Sequence, residues 1–476
     1  MPGGFGPGGT PEASSGDEGP VPSSDIATPA RAAALPTLRE AVRVWARIGC
    51  LSFGGPAAQI ALLHREAVEQ RAWVSDRRFL HALNFCTLLP GPEAMQLAAY
   101  LGWLMHGVRG GLAAGLLFIL PGAAVMLALS LLYAAYGGVP AVAAAFFGLK
   151  CAVLVLVADA LRRVARRALL TRAAWGVAAA AFVALFAFGA PFPAVVLAAG
   201  LLGWALPGAF AGAGHGAAGE GPLAALDAVL AADPGRPARM AAGAHRAGLA
   251  ALAAWLLPVV ALWRAGGVLG DVAVFFSKLA VVTFGGAYAV LAYAAQDAVG
   301  VYGWLTPGQM LDGLGLAETT PGPLILVLQF VGFLAGHGAG GGQGGPWLGV
   351  AAAGVVLWAT FVPCFAWVFL GAPFIERLQA NQVLTGALSA VTAAVVGVIA
   401  NLALWFALHT LFTRHVAVRA WGLRLDAPVP ASLALPALLL AAAAGVALLR
   451  FRTGVPPVLA GCALAGLALH LAGIVR

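Results

Sequence analysis

The chain has 476 residues, of which 61% are hydrophobic and only 10% are charged, and its formal net charge is +8. Soluble globular proteins carry about a quarter charged residues, so this composition excludes an ordinary soluble protein. The mean hydropathy is +0.91, and many apolar stretches approach the roughly 20 residues that cross a bilayer. The sequence therefore predicts an all-α, polytopic protein with the lipid bilayer as a partner. The basic residues are nearly all arginines between apolar segments, which indicates cytoplasmic loops and no nucleic-acid partner.

Residues 1–34 are rich in Gly, Pro, Ser and Ala and lack the basic start of a signal peptide, so they are predicted to form a disordered tail. The rest of the chain predicts about ten to thirteen transmembrane or re-entrant segments. Their apolar stretches lie at 38–60, 80–105, 111–136, 139–161, 173–190, 191–209, 248–265, 268–291, 308–336, 347–370, 383–412, 432–450 and 455–473. Residues 210–247 form the longest polar interval between them and are predicted to be a linker.

The chain repeats itself. A shift of 231 residues places the Phe-Gly-Gly motif at 53–55 on the same motif at 284–286, and Pro-Gly-Pro at 90–92 on Pro-Gly-Pro at 321–323. Two homologous units joined by a linker are the simplest explanation. The predicted domains are a tail at 1–34, a first repeat at 35–209, a linker at 210–247, a second repeat at 248–412 and C-terminal membrane segments at 413–476.

Charge predicts how the two repeats are oriented. Between its two motifs the first repeat carries four arginines, whereas the equivalent interval of the second repeat carries no Lys or Arg. The positive-inside rule puts the first interval in the cytoplasm and the second outside. Five apolar segments separate the two intervals, and an odd number inverts the second unit, as in secondary transporters. If the second repeat mirrored the first strictly, Arg414, Arg419 and Arg424 would lie outside, against the positive-inside rule. The sequence therefore leaves the topology after residue 383 open.

Four helix-breaking motifs interrupt apolar segments and predict a binding site. In lipid, a broken helix survives only where it is enclosed in protein or lines a wet cavity, and a half-helix that begins there points free N–H groups at an anion. Glycine and proline can also merely kink a helix, but four breaks at repeat-related positions favour a site. The predicted substrate-binding residues of the breaks are Phe53, Gly54, Gly55, Pro56, Gln59, Pro90, Gly91, Pro92, Phe284, Gly285, Gly286, Thr319, Thr320, Pro321, Gly322 and Pro323.

Lys150 and Lys278 are the only lysines, and both lie in apolar segments. A cation within the membrane is costly and usually marks an ion pathway, so both are predicted to bind substrate. The alternatives are a snorkelling side chain or an ion pair, such as Lys278 with Asp271. Glu93 and Glu318 flank the Pro-Gly-Pro motifs and are predicted proton carriers, although an acid at a helix start can also act as a cap.

The sequence lacks the motifs of several other functions. Neither lysine follows a glycine, so no P-loop ATP site is predicted, and no G-x-S-x-G elbow or His/carboxylate metal motif appears. The five cysteines have no paired spacing and are predicted to be small core residues. We therefore expect no catalytic residue, no metal and no cofactor. Active transport would draw on an ion gradient or on a partner ATPase.

Four segments resemble the chromate ion transporter (CHR) family in its long, two-domain form. They are FGGPAAQIALLHREAV, FLHALNFCTLLPGPEAMQLAAYLGW, KLAVVTFGGAYAVLAYAAQDAV and LDGLGLAETTPGPLILVLQFVGF, and the match covers roughly residues 38–412. The resemblance implies a multi-pass carrier of the bacterial inner membrane that exports chromate, confers resistance to it, and has two halves in opposite orientations. The resemblance implies that its motif positions are the break residues above except Thr320, together with Glu93 and Glu318.

The resulting prediction is a secondary transporter that exports chromate, driven by the proton motive force or by anion exchange. A sulfate or other oxyanion carrier is an alternative, since chromate and sulfate are tetrahedral dianions of similar size. A membrane sensor or structural subunit, which would need no central charges, is an alternative of another class, and an embedded enzyme that reduces chromium is a third. A homodimer is left open as a further partner.

Overall fold

The computed structural model describes residues 35–210, 224–284, 286–374, 381–420 and 423–475, and their regular structure is almost entirely helical. The all-α, polytopic prediction is confirmed. The helices of the first half are α1 (Leu38–Leu51), α2 (Gly55–His64), α3 (Asp76–Cys86), α4 (Glu93–Tyr136), α5 (Pro140–Ala168), α6 (Arg172–Phe188) and α7 (Phe192–Ala205). Next come α8 (Ala225–Ala232), α9 (Arg236–Ala265), α10 (Gly267–Val282), α11 (Ala287–Gly300), α12 (Pro307–Thr319), α13 (Val327–His337), α14 (Ala339–Gly342), α15 (Gly345–Gly371), α16 (Gln382–Leu411), α17 (Leu435–Leu449) and α18 (Val455–Leu471).

Five helices of the described chain, α4, α5, α9, α15 and α16, are long and apolar enough to cross a membrane. Five shorter apolar helical stretches accompany them: α6, α7, residues 324–337, α17 and α18. The protein is therefore a multi-pass membrane protein. Part of the predicted linker is helical, since α8 lies inside it and α9 begins at Arg236, well before the apolar segment at 248. Residues 211–223 of that linker, and the predicted tail at 1–34, lie outside the described residues.

Helix α4 consists of two helices joined at a sharp kink. His106 has φ −132° and ψ 20°, and Gly107 has φ 66° and ψ −157°, so neither residue is helical. The positive φ of Gly107 is accessible to glycine at little cost. The first part of α4, residues 93–105, therefore runs in a different direction from the long membrane-spanning part that follows.

The helices of the two halves follow the same order, and the halves interlock. Helix α5 packs against α17 and α18 of the second half, while α16 packs against α6 and α7 of the first. The two interfaces have matching close contacts, since a Cβ on Gly203 would overlap the Gly386 carbonyl oxygen, and a Cβ on Gly466 would overlap that of Ala144. One large cluster of buried apolar side chains includes residues of both halves. Each half thus completes the core of the other.

The described residues include a short pair of β-strands that could not be predicted from the sequence. Strands β1 (His415–Ala420) and β2 (Leu423–Pro428) pair antiparallel after α16. The cysteine prediction is wrong for one residue. Cys86, Cys151, Cys364 and Cys462 are buried as small core residues, whereas Cys50 is exposed on α1.

Helix α8 is fixed to the basic loop that follows α2. The N–H groups of Ala225 and Leu226 donate to the carbonyl oxygens of Ala72 and Trp73, at 3.0 and 2.9 Å. Arg78 Nε lies 2.7 Å from Asp227 Oδ1. Burial of Asp227 raises its pKa, but the hydrogen bonds from Arg78 and Ser75 and the Arg78 charge outweigh burial and hold the pKa below its usual range. The two segments therefore lie on the same side of the membrane.

Candidate functional site

The break between α1 and α2 is bonded to the Pro-Gly-Pro break of the other half. The N–H of Gly322 donates to the Ser52 carbonyl oxygen at 2.8 Å. The buried Gln59 side chain joins the same two backbones, because its Nε2 lies 2.6 Å from the Gly322 oxygen and 3.4 Å from the Ser52 oxygen. These bonds satisfy backbone groups that two broken helices would otherwise leave free in lipid. We call these residues the first break pair.

The break between α10 and α11 makes the reciprocal contact. The N–H of Gly91 donates to the Thr283 carbonyl oxygen at 3.0 Å. Ser52 and Thr283 are 231 positions apart, as are Gly91 and Gly322, so the two bonds are related by the internal repeat. We call this the second break pair. All four breaks are thus brought together in two pairs, each with one member from each half.

The two break pairs differ in their side chains. The position equivalent to Gln59 is Val290, so the second pair has no amide that spans both backbones. The hydroxyl of Thr283 donates within its own helix, to the Leu279 oxygen, and the buried Gln96 donates from Nε2 to the Pro90 oxygen at 2.7 Å. Gln96 Oε1 has no hydrogen-bond partner among the described residues. The first pair is therefore held by side-chain and backbone bonds, and the second by backbone alone.

Half-helices begin directly after both Pro-Gly-Pro motifs. Helix α4 starts at Glu93 with Pro92 as its N-cap, and a short 3₁₀ turn from Leu324 leads into α13. Gly91 and Gly322 have φ of 121° and 95°, a backbone conformation that favours glycine. The first N–H groups of each half-helix have no carbonyl partner within their own helix. They can therefore donate to an anion.

The remaining break residues differ in exposure. Pro90 is half-buried and Pro92, Pro321 and Pro323 are buried, whereas Phe53 and Gly54 are exposed and Gly55, Pro56, Phe284 and Gly286 are half-buried. Gly285 lies outside the described residues. The hydroxyls of Thr319 and Thr320 donate to the Leu316 and Ala317 carbonyl oxygens of α12, at 2.8 and 3.0 Å. Both hydroxyl protons are therefore used within their own helix, and only the oxygen lone pairs are left for a ligand.

Lys150 forms an ion pair that joins the two halves. Its Nζ lies 3.1 Å from Asp312 Oδ1 on α12. The other carboxylate oxygen accepts a 2.8 Å hydrogen bond from the Tyr133 hydroxyl on α4. The Asp312 side chain is 8% exposed and that of Lys150 is 24% exposed. The Lys150 ammonium lies in an apolar segment, and Asp312 offsets the cost of removing it from water.

Lys278 is placed differently. It lies on the exposed side of α10, and the described residues include no ion pair between Lys278 and Asp271. The equivalent position in the first half is Arg47, 231 residues earlier, which is likewise exposed on α1. A cation at this position is therefore common to both halves. Lys278 takes no part in the ion pair between Lys150 and Asp312.

The two predicted proton carriers have different surroundings. Glu318 is buried in α12, and its Oε1 accepts a 3.0 Å hydrogen bond from the Tyr288 hydroxyl on α11. Glu93 lies half-buried in the first turn of α4 and has no side-chain hydrogen bond or ion pair with a described residue. Glu93 is thus placed to respond to a bound proton or anion without first breaking an internal bond.

Gln59→Leu is expected to slow transport and to lower the stability of the protein. Leucine removes the amide that spans the first break pair and leaves the buried Gly322 oxygen with one donor fewer, at a cost of about 1–3 kcal/mol. Gln70→Leu, at an exposed glutamine, is the control and should have little effect. Transport rates and melting temperatures of the purified variants would check this. Equal transport rates for wild type and Gln59→Leu would contradict a role in transport for the Gln59 amide that bonds to both backbones (the Gln59 clamp).

Several partners of the predicted residues could not be recognised from the sequence. Ser52 and Thr283 contribute only backbone oxygens, so nothing in their side chains could reveal them. Tyr133 and Tyr288 bind carboxylates that are distant in sequence. The one signal in the sequence was that tyrosine is rare, since the chain has only 6, so each tyrosine in an apolar segment was a candidate hydrogen-bond donor.

Comparison with known proteins identifies the family. The model of the family described as "Chromate transporter" matches residues 39–204 and 270–467, and the chain belongs to this family. The second match continues beyond residue 412, through α17 and into α18. No solved structure is significantly similar.

Curated relatives agree with this assignment. A chromate transport protein of Pseudomonas aeruginosa is 37% identical over 78% of this chain and 82% of its own length. A chromate transport protein of Cupriavidus metallidurans is 28% identical over 91% of this chain and 94% of its own. A probable chromate transport protein of Synechococcus elongatus is 27% identical over 77% and 83%, respectively. The predicted family is confirmed.

Proposed function

We propose that this protein exports chromate across the bacterial cytoplasmic membrane and thereby confers resistance to it. The observation that carries the proposal is the pairing of the four helix breaks, Ser52 with Gly322 and Thr283 with Gly91, in a member of the chromate transporter family. Half-helix N-termini at the breaks supply N–H donors and a positive dipole end, which suit a dianion. The names of the curated relatives supply the substrate class.

The two repeats lie antiparallel in this proposal, with residues 35–209 and 248–412 as their cores. Each break pair then faces one side of the membrane, and transport proceeds by opening one pair while the other stays bonded. The second pair lacks the Gln59 clamp, so it opens at lower cost. The anion would bind the N–H groups released when a pair opens, and Lys150 and Lys278 would offset its charge.

Export against a gradient requires an energy source, and we infer proton coupling through Glu93 or Glu318, with anion exchange as the alternative. The surroundings of Glu93 support proton coupling over anion exchange, because no described side chain binds its carboxylate. Glu93→Gln is expected to reduce the response of transport to a proton gradient at least tenfold, while exchange of chromate for chromate continues. Glu318→Gln keeps a partner for Tyr288 and serves as the matched comparison. Unchanged gradient dependence in both variants would contradict proton coupling through either carboxylate. Wild-type transport that does not respond to a proton gradient would favour anion exchange.

Counterflow in proteoliposomes tests the substrate. Vesicles that contain the purified protein would be loaded with unlabelled chromate, diluted, and supplied with labelled chromate outside. We expect transient accumulation of unreduced label above that of protein-free vesicles. Internal sulfate in place of chromate tests the second candidate, because its trans-stimulation would mark a general oxyanion carrier. Reduced chromium as the product would contradict transport and favour an embedded enzyme.

A further inference from the structure

A cavity of about 500 Å³ lies at the kink of α4, away from the helix breaks. Its basic lining residues are Arg109 just after the kink, Arg236 and Arg239 at the start of α9, and His106 at the kink itself. Leu38, Met105 and Met240 supply apolar lining. Residues 93–105 separate the cavity from the Pro-Gly-Pro break, which is roughly 20 Å along a helix. The cavity is therefore separate from the proposed transport site.

The arginines of the cavity have more N–H donors than the protein has acceptors for them there. Arg236 donates one hydrogen bond to the Met105 carbonyl oxygen at 2.6 Å, and Arg239 pairs with Asp233. Arg109 is exposed and has no hydrogen bond or ion pair with any residue of the described ranges. A guanidinium carries five N–H donors, so most of those on Arg109 and Arg236 stay free. The local charge is thus strongly positive.

His106 adds a further free polar atom. Its Nε2–H donates to the Pro36 carbonyl oxygen at 2.7 Å, which holds the ring at the kink. Its Nδ1 is buried and has no partner among the described residues. A buried polar atom without a partner costs free energy, and a ligand or water that bonds to it removes that cost.

The position of the cavity limits what it can meet. Helix α9 begins only a short turn after α8, and α8 is bonded to the loop between α2 and α3 and to Arg78 in the first turn of α3. That loop carries the arginines which the positive-inside rule assigns to the cytoplasm. The cavity therefore lies on the cytoplasmic side, where apolar α9 enters the bilayer. Basic pockets between helices at this level bind lipid headgroups.

We propose that this cavity binds a phosphate group, carried either by an anionic phospholipid or by free inorganic phosphate. Arginine guanidinium groups match phosphate oxygens in pairs, which gives geometric specificity as well as attraction. A lipid headgroup would place its glycerol and acyl chains against Leu38 and Met240. A bound phosphate would link the α4 kink to the start of α9 through Arg109 and Arg236, and so would stabilise the contact between these two helices.

Thermal unfolding of the purified full-length protein tests this proposal. Melting temperatures would be measured with short-chain phosphatidylglycerol, with phosphatidylcholine and with inorganic phosphate, at constant ionic strength. We expect phosphatidylglycerol or phosphate to raise the melting temperature and phosphatidylcholine to leave it unchanged. A rise with phosphatidylglycerol alone identifies a lipid site, and an equal rise with inorganic phosphate identifies a free-anion site.

Arg109→Gln should weaken the apparent affinity about fivefold, the usual effect of one arginine at an anionic surface. Because Arg109 makes no internal bond, this variant should fold normally, and Arg109→Lys should fall between it and wild type. Arg172→Gln, at an exposed arginine in the first turn of α6, is the matched control and should bind as wild type does. No stabilisation by either anion, or equal stabilisation of wild type and Arg109→Gln, would overturn the proposal.

Discussion

Asp312→Asn is expected to destabilise the protein by about 2–4 kcal/mol and to reduce chromate transport at least tenfold. The substitution leaves the Lys150 ammonium without its carboxylate. Breaking a fully buried ion pair from one side costs about 3–5 kcal/mol, and the expected cost is lower here because the Lys150 side chain is 24% exposed. It also weakens the bond from Tyr133, whose hydroxyl now meets a neutral amide. Melting temperature and initial transport rate of the purified variant would measure both effects.

The double variant Lys150→Met/Asp312→Leu separates structure from function. Replacing both charges with apolar groups of similar size should restore most of the stability. If Lys150 offsets the charge of the transported anion, transport should stay low in this folded protein. Wild-type transport by the double variant would instead make the ion pair a purely structural link between the halves.

Gly91→Ala and Gly322→Ala are each expected to abolish transport. Both positions have φ above 90°, which costs an L residue about 1–3 kcal/mol. A Cβ on Gly91 would also lie 2.8 Å from Cys364 Sγ, and one on Gly322 would lie 2.9 Å from Leu326 Cδ1. Alanine keeps the N–H that donates across the break pair, so any loss reports backbone shape rather than a lost donor.

Gly176→Ala is the matched control for these two variants. Gly176 lies inside α6, and no atom lies within 4 Å of the position that an alanine Cβ would take, so alanine fits there. Higher helix propensity should leave the protein as stable as wild type or slightly more stable. Full transport by Gly91→Ala or Gly322→Ala in folded protein would show that the break pairs need no special backbone conformation.

The sequence predicted the breaks correctly because glycine and proline act locally. Helix α1 ends at Leu51 and α4 begins at Glu93, beside the predicted motifs. It did not predict which break meets which, because a repeat offset relates equivalent positions and carries no information about contact. The pairing of Ser52 with Gly322 depends on tertiary packing alone.

The ion pair, the helix that begins at Arg236 and the strand pair could be predicted from the sequence only in part or not at all. The Lys150–Asp312 pair joins distant segments, so a single sequence indicated the charges but not their partnership. The helix that begins at Arg236 had visible signals, a proline at its second position and several alanines, but its polarity favoured a linker. The strand pair at 415–420 and 423–428 was not predicted, because two short strands beside long apolar segments contribute little to the hydropathy pattern.

Labelled chromate uptake by everted membrane vesicles tests whether this protein exports chromate. Vesicles with the protein and vesicles without it would be compared, with and without an imposed proton gradient, and with excess sulfate as competitor. We expect gradient-dependent accumulation of unreduced chromate in the vesicles that contain the protein. Uptake no greater than in vesicles without it, with the protein folded and inserted, would contradict chromate export.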